Sequence, residues 1–208
     1  MTTFATMRSR IADDLSRTDL TTQINLAINR AIIYFESERF WFSETTGTFS
    51  TIANQQSYGT GDSLPSDIKE IDDPVRITIS STNIPSLKRI PYAELLAKDI
   101  GAFVGQPSEW SWFQSKMYFY PRPDSIKTIT LSYQKSYTAL SGDSDTNDWT
   151  VYAESLIESA ARYDLFKNTI RDEAQASGEK EQIAYHLNCL REKNRKLVSV
   201  GRVTPTSW

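Results

Sequence analysis

The chain has 208 residues, enough for one large domain or two small ones with a substantial buried core. Hydrophobic residues make up 39% and charged residues 24%, and the formal net charge of -3 argues against a free-standing nucleic-acid-binding protein. The single cysteine excludes an internal disulfide, and no stretch approaches the roughly 20 apolar residues that cross a bilayer. These features predict a soluble, non-secreted protein with no membrane partner.

Two amphipathic helices are predicted at the N-terminus. Apolar residues recur at helical spacing from Phe4 to Leu15, and again from Ile24 to Phe35 in a segment that extends to about Phe40. In the turn between them, Thr18 or Asp19 is the predicted N-cap of the second helix.

From Ser43 to about Tyr133 the hydrophobic period changes to two. Apolar and polar residues alternate from Val75 to Ser80 and from Thr128 to Tyr133, and turn-forming residues such as Asp73-Pro74 separate the segments. This pattern predicts an antiparallel meander that one short helix, Pro91 to Asp99, interrupts.

The stretch KMYFYPRPD, residues 116–124, is predicted to be a strand that stops at Pro121, because proline has no backbone N–H to donate. A hairpin with Gln114-Ser115 at its turn would send alternate rings of residues 110–120 to the two faces of the sheet. Those rings could also stack on nucleic-acid bases, but the basic residues nearby are too sparse to follow a phosphate backbone.

Helical periodicity returns at Asp148, the predicted N-cap of a third helix. The apolar residues from Trp149 to Phe166 form a wide stripe, which suits a protein that completes its core against neighbouring molecules. A last helix is predicted from about Asp172, with a kink at Ser177-Gly178. Residues 199–208 have no periodicity and are predicted to form an extended tail.

The predicted fold class is therefore α+β. It is a helical bundle made of N- and C-terminal helix pairs, with an inserted antiparallel β region and an extended C-terminal tail. The bundle takes residues 1–42 and 148–198, the β region residues 43–147, and the tail residues 199–208. The two helical ends must pack on each other because neither amphipathic pair can bury its apolar stripe alone.

Catalytic, cofactor and metal sites find little support in the sequence. His186 and Cys189 lie three residues apart on the last helix, but zinc needs three or four ligands and the chain has no other Cys or His. The glycine-rich phosphate loops and the nucleophilic serine elbow are absent. We therefore predict no catalytic residue, no cofactor, no metal and no enzyme activity.

An acidic loop resembles a calcium-binding loop in part. Asp143, Asp145 and Asn147 stand at positions one, three and five of such a loop, and Glu154 stands at position twelve. Position six is Asp148 instead of the glycine that the sharp turn needs, and the preceding segment is not helical. The favoured interpretation is a solvated turn that ends in an N-cap.

One enzymatic alternative remains open. A cell-wall (peptidoglycan) hydrolase needs only a carboxylate pair, so the lack of a motif does not exclude it. Glu36, Glu38 and Glu44 border the aromatic run Phe40-Trp41-Phe42, where a sugar could stack. Aromatic residues between a helix and a strand are more often a corner of the core.

Six segments of the sequence carry a family resemblance. They are TTFATMRSRIADDLSRTDLTTQINLAINRAIIYFESERFWF, LPSDIKEID, GQPSEWSWF, KMYFYPRPD, LSYQKSYTALSGDSDTNDW and LFKNTIRD. Together, in this order and up to about Asp172, they resemble the head-to-tail adaptor (connector) proteins of tailed bacteriophages, especially short-tailed ones.

The resemblance implies a structural virion protein. Such proteins form a ring, usually a dodecamer, beneath the portal of a DNA-filled head, and tail components dock on that ring. The implied partners are the portal protein, neighbouring adaptor subunits, and tail nozzle or tail-fibre proteins, and packaged DNA passes through the ring without sequence-specific binding. The implied location is the head-to-tail junction of the virion, with the host cytoplasm as the place of assembly. The family has no shared catalytic residues, and its fold of a helical bundle with a β insertion agrees with the pattern above.

The C-terminal residues are the predicted portal and subunit interface. Basic residues are in excess from Arg191 onward, and a terminal tryptophan gains nothing from exposure to water. A buried tryptophan is a common interface hot spot, and proline favours an extended chain that can follow an edge or groove. The predicted interface residues are Arg195, Lys196, Arg202, Val203, Pro205 and Trp208.

Overall fold

The structure, a computed structural model, describes residues 2–80 and 83–198. They form a mixed α+β protein that divides into two compact units. The helical unit comprises the described residues up to Ser43 and from Tyr137 onward, and the β unit comprises Glu44–Ser136. None of the helices in these ranges is long and apolar enough to cross a membrane.

Six α-helices lie within the described residues. They are α1 (Phe4–Asp14), α2 (Thr21–Phe35), α3 (Tyr92–Lys98), α4 (Asp148–Tyr152), α5 (Glu154–Asp164) and α6 (Glu173–Val198). The α5 helix continues into a π-helical stretch, Leu165–Ile170. Three short 3-10 turns occur elsewhere in the described residues: Trp41–Ser43, Thr60–Asp62 and Asp99–Gly101.

The helix starts differ slightly from the predicted ones. The predicted cap of α2 is wrong, because α2 begins after Leu20, which makes no side-chain cap, while Asp19 pairs with Arg17 at 2.7 Å. The N-cap of α4 is Asn147, one residue before the predicted Asp148, and its side chain accepts from the backbone N–H of Thr150 at 3.1 Å. Short polar side chains at such a position satisfy backbone donors that the first helical turn leaves unpaired.

The predicted third helix is two helices. Ala153, with φ -130° and ψ 24°, leaves the helical conformation between α4 and α5, and it is buried. The sequence predicted that the wide apolar stripe of this segment packs against neighbouring molecules. The stripe instead lies largely in the core of this chain, since Trp149, Leu156 and Ile157 are at most 1% exposed. The α6 helix is uninterrupted across Gly178, where the sequence predicted a kink.

One hydrophobic core joins the helices from the two ends of the sequence. It contains buried residues of α1, α2, α4 and α5 together with Leu190 of α6. Phe40 and Phe42 meet Trp149 edge-on, with ring centroids 5.7 and 5.1 Å apart. Segments that are distant in the sequence therefore complete one core, because each amphipathic helix leaves an apolar face to cover.

The loop of residues 137–147 belongs with the helical unit in its contacts. The backbone N–H of Phe4 donates to the Asp145 carbonyl at 2.9 Å, and both polar ends of the Asn29 side chain bind the backbone of Leu140 at 3.0 and 2.8 Å. The sequence placed this loop in the β region because it lacks helical periodicity. Its hydrogen bonds to α1 and α2 are long-range and leave no local signal.

The β unit contains nine strands within residues 44–80 and 83–136. They are β1 (Glu44–Ser50), β2 (Ser57–Tyr58), β3 (Ile68–Thr78), β4 (Ser86–Arg89), β5 (Val104–Gly105), β6 (Glu109–Phe113), β7 (Lys116–Tyr120), β8 (Arg122–Pro123) and β9 (Thr128–Lys135). Seven of them form one sheet in the order β1-β9-β3-β4-β6-β7-β2, and β5 and β8 form a separate pair.

The predicted antiparallel meander is wrong in its connectivity. Strand β9 lies between β1 and β3, pairing antiparallel with both, so β1 and β3 do not touch each other in the sheet. Strands β4 and β6 run parallel, with α3 between them in the sequence. The chain also passes through Asp73-Pro74 within β3, where the register shifts, instead of turning there.

The predicted hairpin at KMYFY is confirmed. Strands β6 and β7 pair antiparallel around Gln114 and Ser115, whose φ angles of 49° and 58° are those of a tight hairpin turn. Met117 and Phe119 are fully buried, whereas Phe113 on the other side of the turn is 40% exposed and stacks on Tyr92 of α3 at 4.2 Å. Alternate residues therefore serve the two faces, as the period of two requires.

Candidate interaction surfaces

The carboxylates considered for hydrolysis belong to different units of the chain. Glu38 accepts two hydrogen bonds from the guanidinium of Arg191 at 2.6 and 2.9 Å, and this pairing raises the pKa of Arg191. Glu36 and Glu38 follow α2 in the helical unit, whereas Glu44 opens β1 in the β unit. The Glu38 carboxylate therefore ties the segment after α2 to α6.

The acidic loop after β9 is organised by its own backbone. The Asp145 carboxylate accepts the N–H groups of Ser141 and Gly142 at 2.9 and 2.8 Å, and these hydrogen bonds lower the pKa of Asp145. Asp143 pairs instead with Arg8 of α1 at 2.8 Å. The two carboxylates thus have separate partners, and both help to fix the loop against the helical unit.

The remaining two positions of the calcium pattern are also engaged elsewhere. Asn147 caps α4, while Glu154 accepts from the Thr2 hydroxyl at 2.7 Å and pairs with Arg10. The structure therefore supports the interpretation of this loop as a turn and N-cap. Within the described ranges, no three His, Cys, Asp or Glu side chains form a group that could hold a metal ion.

His186 and Cys189 line a shallow hollow of about 340 Å³ beside α4 and the start of α5. Cys189 is an exposed free thiol, and the ring of His186 meets that of Tyr185 at 5.4 Å. Neither geometry indicates nucleophilic chemistry.

The basic end of α6 has two parts. Arg191 pairs with Glu38, and the Lys193 ammonium lies 4.8 Å from the centre of the Trp41 ring, so both cations hold α6 to the helical unit. Arg195 and Lys196, two of the predicted interface residues, lie exposed in the last turn of α6. The other four lie outside the described residues: Arg202, Val203, Pro205 and Trp208.

An apolar groove, here called the α2 cleft, runs along the helical unit. It has a volume of about 450 Å³ and lies between α2, α5 and α6. Its lining includes Ala27, Ala31, Ala160, Tyr34, Tyr163 and Ile183. Ile33 and Tyr34 on the same helix are 65% and 73% exposed, so α2 presents apolar surface beside the cleft as well.

A second apolar surface, here called the apolar tip, is the segment of residues 100–104 in the β unit. Ile100 is 88% exposed, Phe103 is 60% exposed and Val104 is 52% exposed. Five consecutive exposed residues, three of them large and apolar, form a convex hydrophobic feature that solvation alone does not favour.

The apolar tip is held in place by polar contacts at its base. Buried Asp99 accepts three hydrogen bonds from the Arg122 guanidinium, the shortest 2.7 Å, and this contact raises the pKa of Arg122. The backbone N–H of Arg122 also donates to the Phe103 carbonyl at 2.9 Å. Ala102 adopts the left-handed conformation with φ 47°, and a Cβ on Gly101 would lie 2.7 Å from the Phe103 ring.

Sequence reasoning missed both apolar surfaces. The run Ile-Gly-Ala-Phe-Val at 100–104 follows the predicted helix of Pro91 to Asp99, and its three large apolar residues around a glycine were a usable signal. Ile33 and Tyr34 interrupt the polar side of α2, but a few extra apolar residues on a helix are common in any core.

The sequence was compared with models of known protein families. A protein-family model described as SU10 adaptor protein matches residues 2–202. The chain belongs to the SU10 adaptor protein family. No curated protein matches it. The match extends over nearly all of the helical unit and the β unit, so it covers both apolar surfaces.

Membership of the SU10 adaptor family agrees with the resemblance drawn from the sequence. It makes the chain a structural phage protein of the head-to-tail adaptor type, located in the virion, with other virion proteins as partners. An SU10 adaptor protein with two exposed apolar surfaces of different shape has the features expected of an assembly component.

Proposed function

We propose that the protein forms a ring, with twelve copies as the expected number, between the portal and the tail of a phage. The ring would complete the DNA channel and provide a platform on which tail nozzle or tail-fibre proteins dock. The family match over residues 2–202 carries this proposal. A net charge of -3 suits a channel through which DNA passes without specific binding.

The portal contact is assigned to the end of the chain. Arg195 and Lys196 are exposed where α6 ends, and the sequence continues with Arg202, Val203, Pro205 and Trp208. Arg191 and Lys193 already hold α6 to the helical unit, so the basic residues beyond them are the ones available to a partner. A buried tryptophan at such a contact accounts for about 2 kcal/mol or more of binding.

The proposal is tested by assembly on purified portal. Deleting Arg202–Trp208 should leave the melting temperature unchanged and abolish rings in negative-stain images. Trp208→Ala should raise the protein concentration required for assembly at least tenfold. Trp208→Phe should raise it less, because an aromatic side chain remains to fill the contact. Assembly of the deleted chain at the wild-type concentration would show that the end of the chain makes no essential contact.

The free protein is expected to be largely monomeric and to form the ring only on the portal. No long self-complementary heptad seam is present in the sequence to drive association in solution. Mass photometry of the protein alone should show one monomer peak. Uniform rings without portal would contradict this expectation, and a clearing zone in a peptidoglycan zymogram would support the hydrolase alternative.

A further inference from the structure

The apolar tip and the α2 cleft have complementary properties. The tip is convex, with Ile100 and Phe103 the most exposed apolar side chains on it, and the cleft is concave, with the buried side chains of Ala27 and Ala31 in its lining. Small side chains along a helical groove let a bulky group approach the helix backbone closely, whereas an exposed ring gains most from such a site.

The charged residues at the base of the tip are paired with one another within the β unit. Arg122 pairs with Asp99, and Lys98 pairs with Glu94 at 3.0 Å and with Glu109 at 2.8 Å. The tip itself carries no charged side chain, and the cations at its base are paired, so it offers no cation to a phosphate backbone or anionic lipid. Its chemistry favours an apolar pocket on another protein.

The α2 cleft is a largely apolar pocket, with Arg30, Asp164 and Lys180 also in its lining. Its volume of about 450 Å³ is within the range of roughly 300–1,000 Å³ that pockets for bulky ligands span. Arg30 and Asp164 on its rim face each other at 3.5 Å, so these two charges offset one another. An inserted aromatic ring would meet Tyr34 and Tyr163 in the lining.

We propose that the apolar tip of one copy inserts into the α2 cleft of the next copy. The occupant of the cleft is thus a second copy of this chain. This inference rests on the proposed ring function, since a cyclic ring requires each subunit to present two different surfaces that fit one another. A patch on one molecule that fits a pocket elsewhere on an identical molecule generates that head-to-tail contact.

The size of the contact agrees with assembly on a template. The tip has three large apolar side chains, whereas a stable interface buries about 800 Å² per partner. One tip in one cleft falls short of that area, so free copies remain apart. Copies that the portal holds side by side gain the contact at high effective concentration.

Site-directed crosslinking tests the contact directly. Cys189 is exposed, so a Cys189→Ser chain supplies a background without thiols. In that background, the double variant Phe103→Cys and Tyr34→Cys should give a ladder of multimers with a short bis-maleimide after assembly on portal. A mixture of the two single variants should give dimers but no ladder, because each molecule then has one reactive end.

The matched control pairs Phe103→Cys with Tyr185→Cys. Tyr185 is 63% exposed on α6 and does not line the cleft, so this pair should remain uncrosslinked. Equal yields from the control pair and the cleft pair would overturn the proposal. A product joining Phe103→Cys to the portal or to a tail protein would overturn it as well, by assigning the tip to a different virion protein.

A substitution at the tip gives an independent readout. Phe103→Asp should raise the protein concentration required for ring formation on portal at least tenfold, whereas Phe103→Leu should change that concentration less than threefold. The melting temperature of both should equal that of the wild type, because the side chain is largely exposed. Rings formed by the Phe103→Cys and Tyr34→Cys double variant without the tip–cleft crosslink would refute this inference alone, while wild-type chain that forms no ring at all would refute the proposed function and this inference together.

Discussion

Trp149 offers the sharpest test of how the two ends of the chain form one helical unit. Its side chain is fully buried on α4 and meets Phe40 and Phe42, which come from the N-terminal segment, edge-on. Tyr137 adds a third ring at 6.3 Å. Trp149→Ala therefore removes a cluster of aromatic contacts between the segments before and after the β unit.

The expected cost follows from the volume that is lost. Replacing a buried Phe or Trp by Ala destabilises a protein by about 3–5 kcal/mol, because the transfer energy is lost and a cavity remains. We place Trp149→Ala near the upper end, since several edge-on aromatic contacts disappear with the ring. Against a typical stability of about 5–15 kcal/mol, this change should leave the helical unit marginal.

The assay is urea unfolding followed by far-UV circular dichroism. Trp149→Phe is the matched control: it keeps a ring in the cavity, and the described residues offer the Trp149 indole N–H no hydrogen-bond acceptor that the change would lose. Its cost should be clearly smaller than that of Trp149→Ala, because the remaining cavity is smaller. A cost below about 1 kcal/mol for Trp149→Ala would refute the idea that this ring joins the two segments.

Three further predictions concern the helical unit. Burial raises the pKa of the Glu158 carboxyl, so the ionised side chain destabilises the folded protein above that pKa, and this destabilisation disappears below the pKa of the unfolded chain. The melting temperature of Glu158→Gln should therefore be no lower than that of the wild type near pH 7, and any difference between the two should narrow toward pH 4. A lower melting temperature of the variant at pH 7 would contradict this. Millimolar calcium should leave the melting temperature unchanged, because Asp145 and the other acidic-loop groups have separate partners; a rise of several degrees would indicate a native-state site. Asn29→Ala should lower the free energy of unfolding in urea by about 1–3 kcal/mol, because the backbone N–H and C=O of Leu140 lose their partner. Asn168→Ala, a control at an exposed residue, should lower it by less than about 0.5 kcal/mol.

The sequence by itself determined the local elements of this protein. The spacing of apolar residues from Phe4 to Phe35 predicted α1 and α2, and the alternation in KMYFY predicted β7 and its hairpin with β6. These predictions succeeded because helical and strand periods are properties of neighbouring residues. The order of the sequence blocks also carried the family resemblance.

Only the tertiary structure decided which elements meet. The position of β9 between β1 and β3, the parallel pairing of β4 with β6, and the hydrogen bonds that place residues 137–147 with the helical unit all join distant parts of the chain. The apolar tip and the α2 cleft depend on the same long-range packing, because an apolar residue has the same letter whether it is buried or exposed. The sequence therefore shows which residues are apolar. Which of them remain exposed to a partner depends on how distant segments pack, and only the tertiary structure shows that.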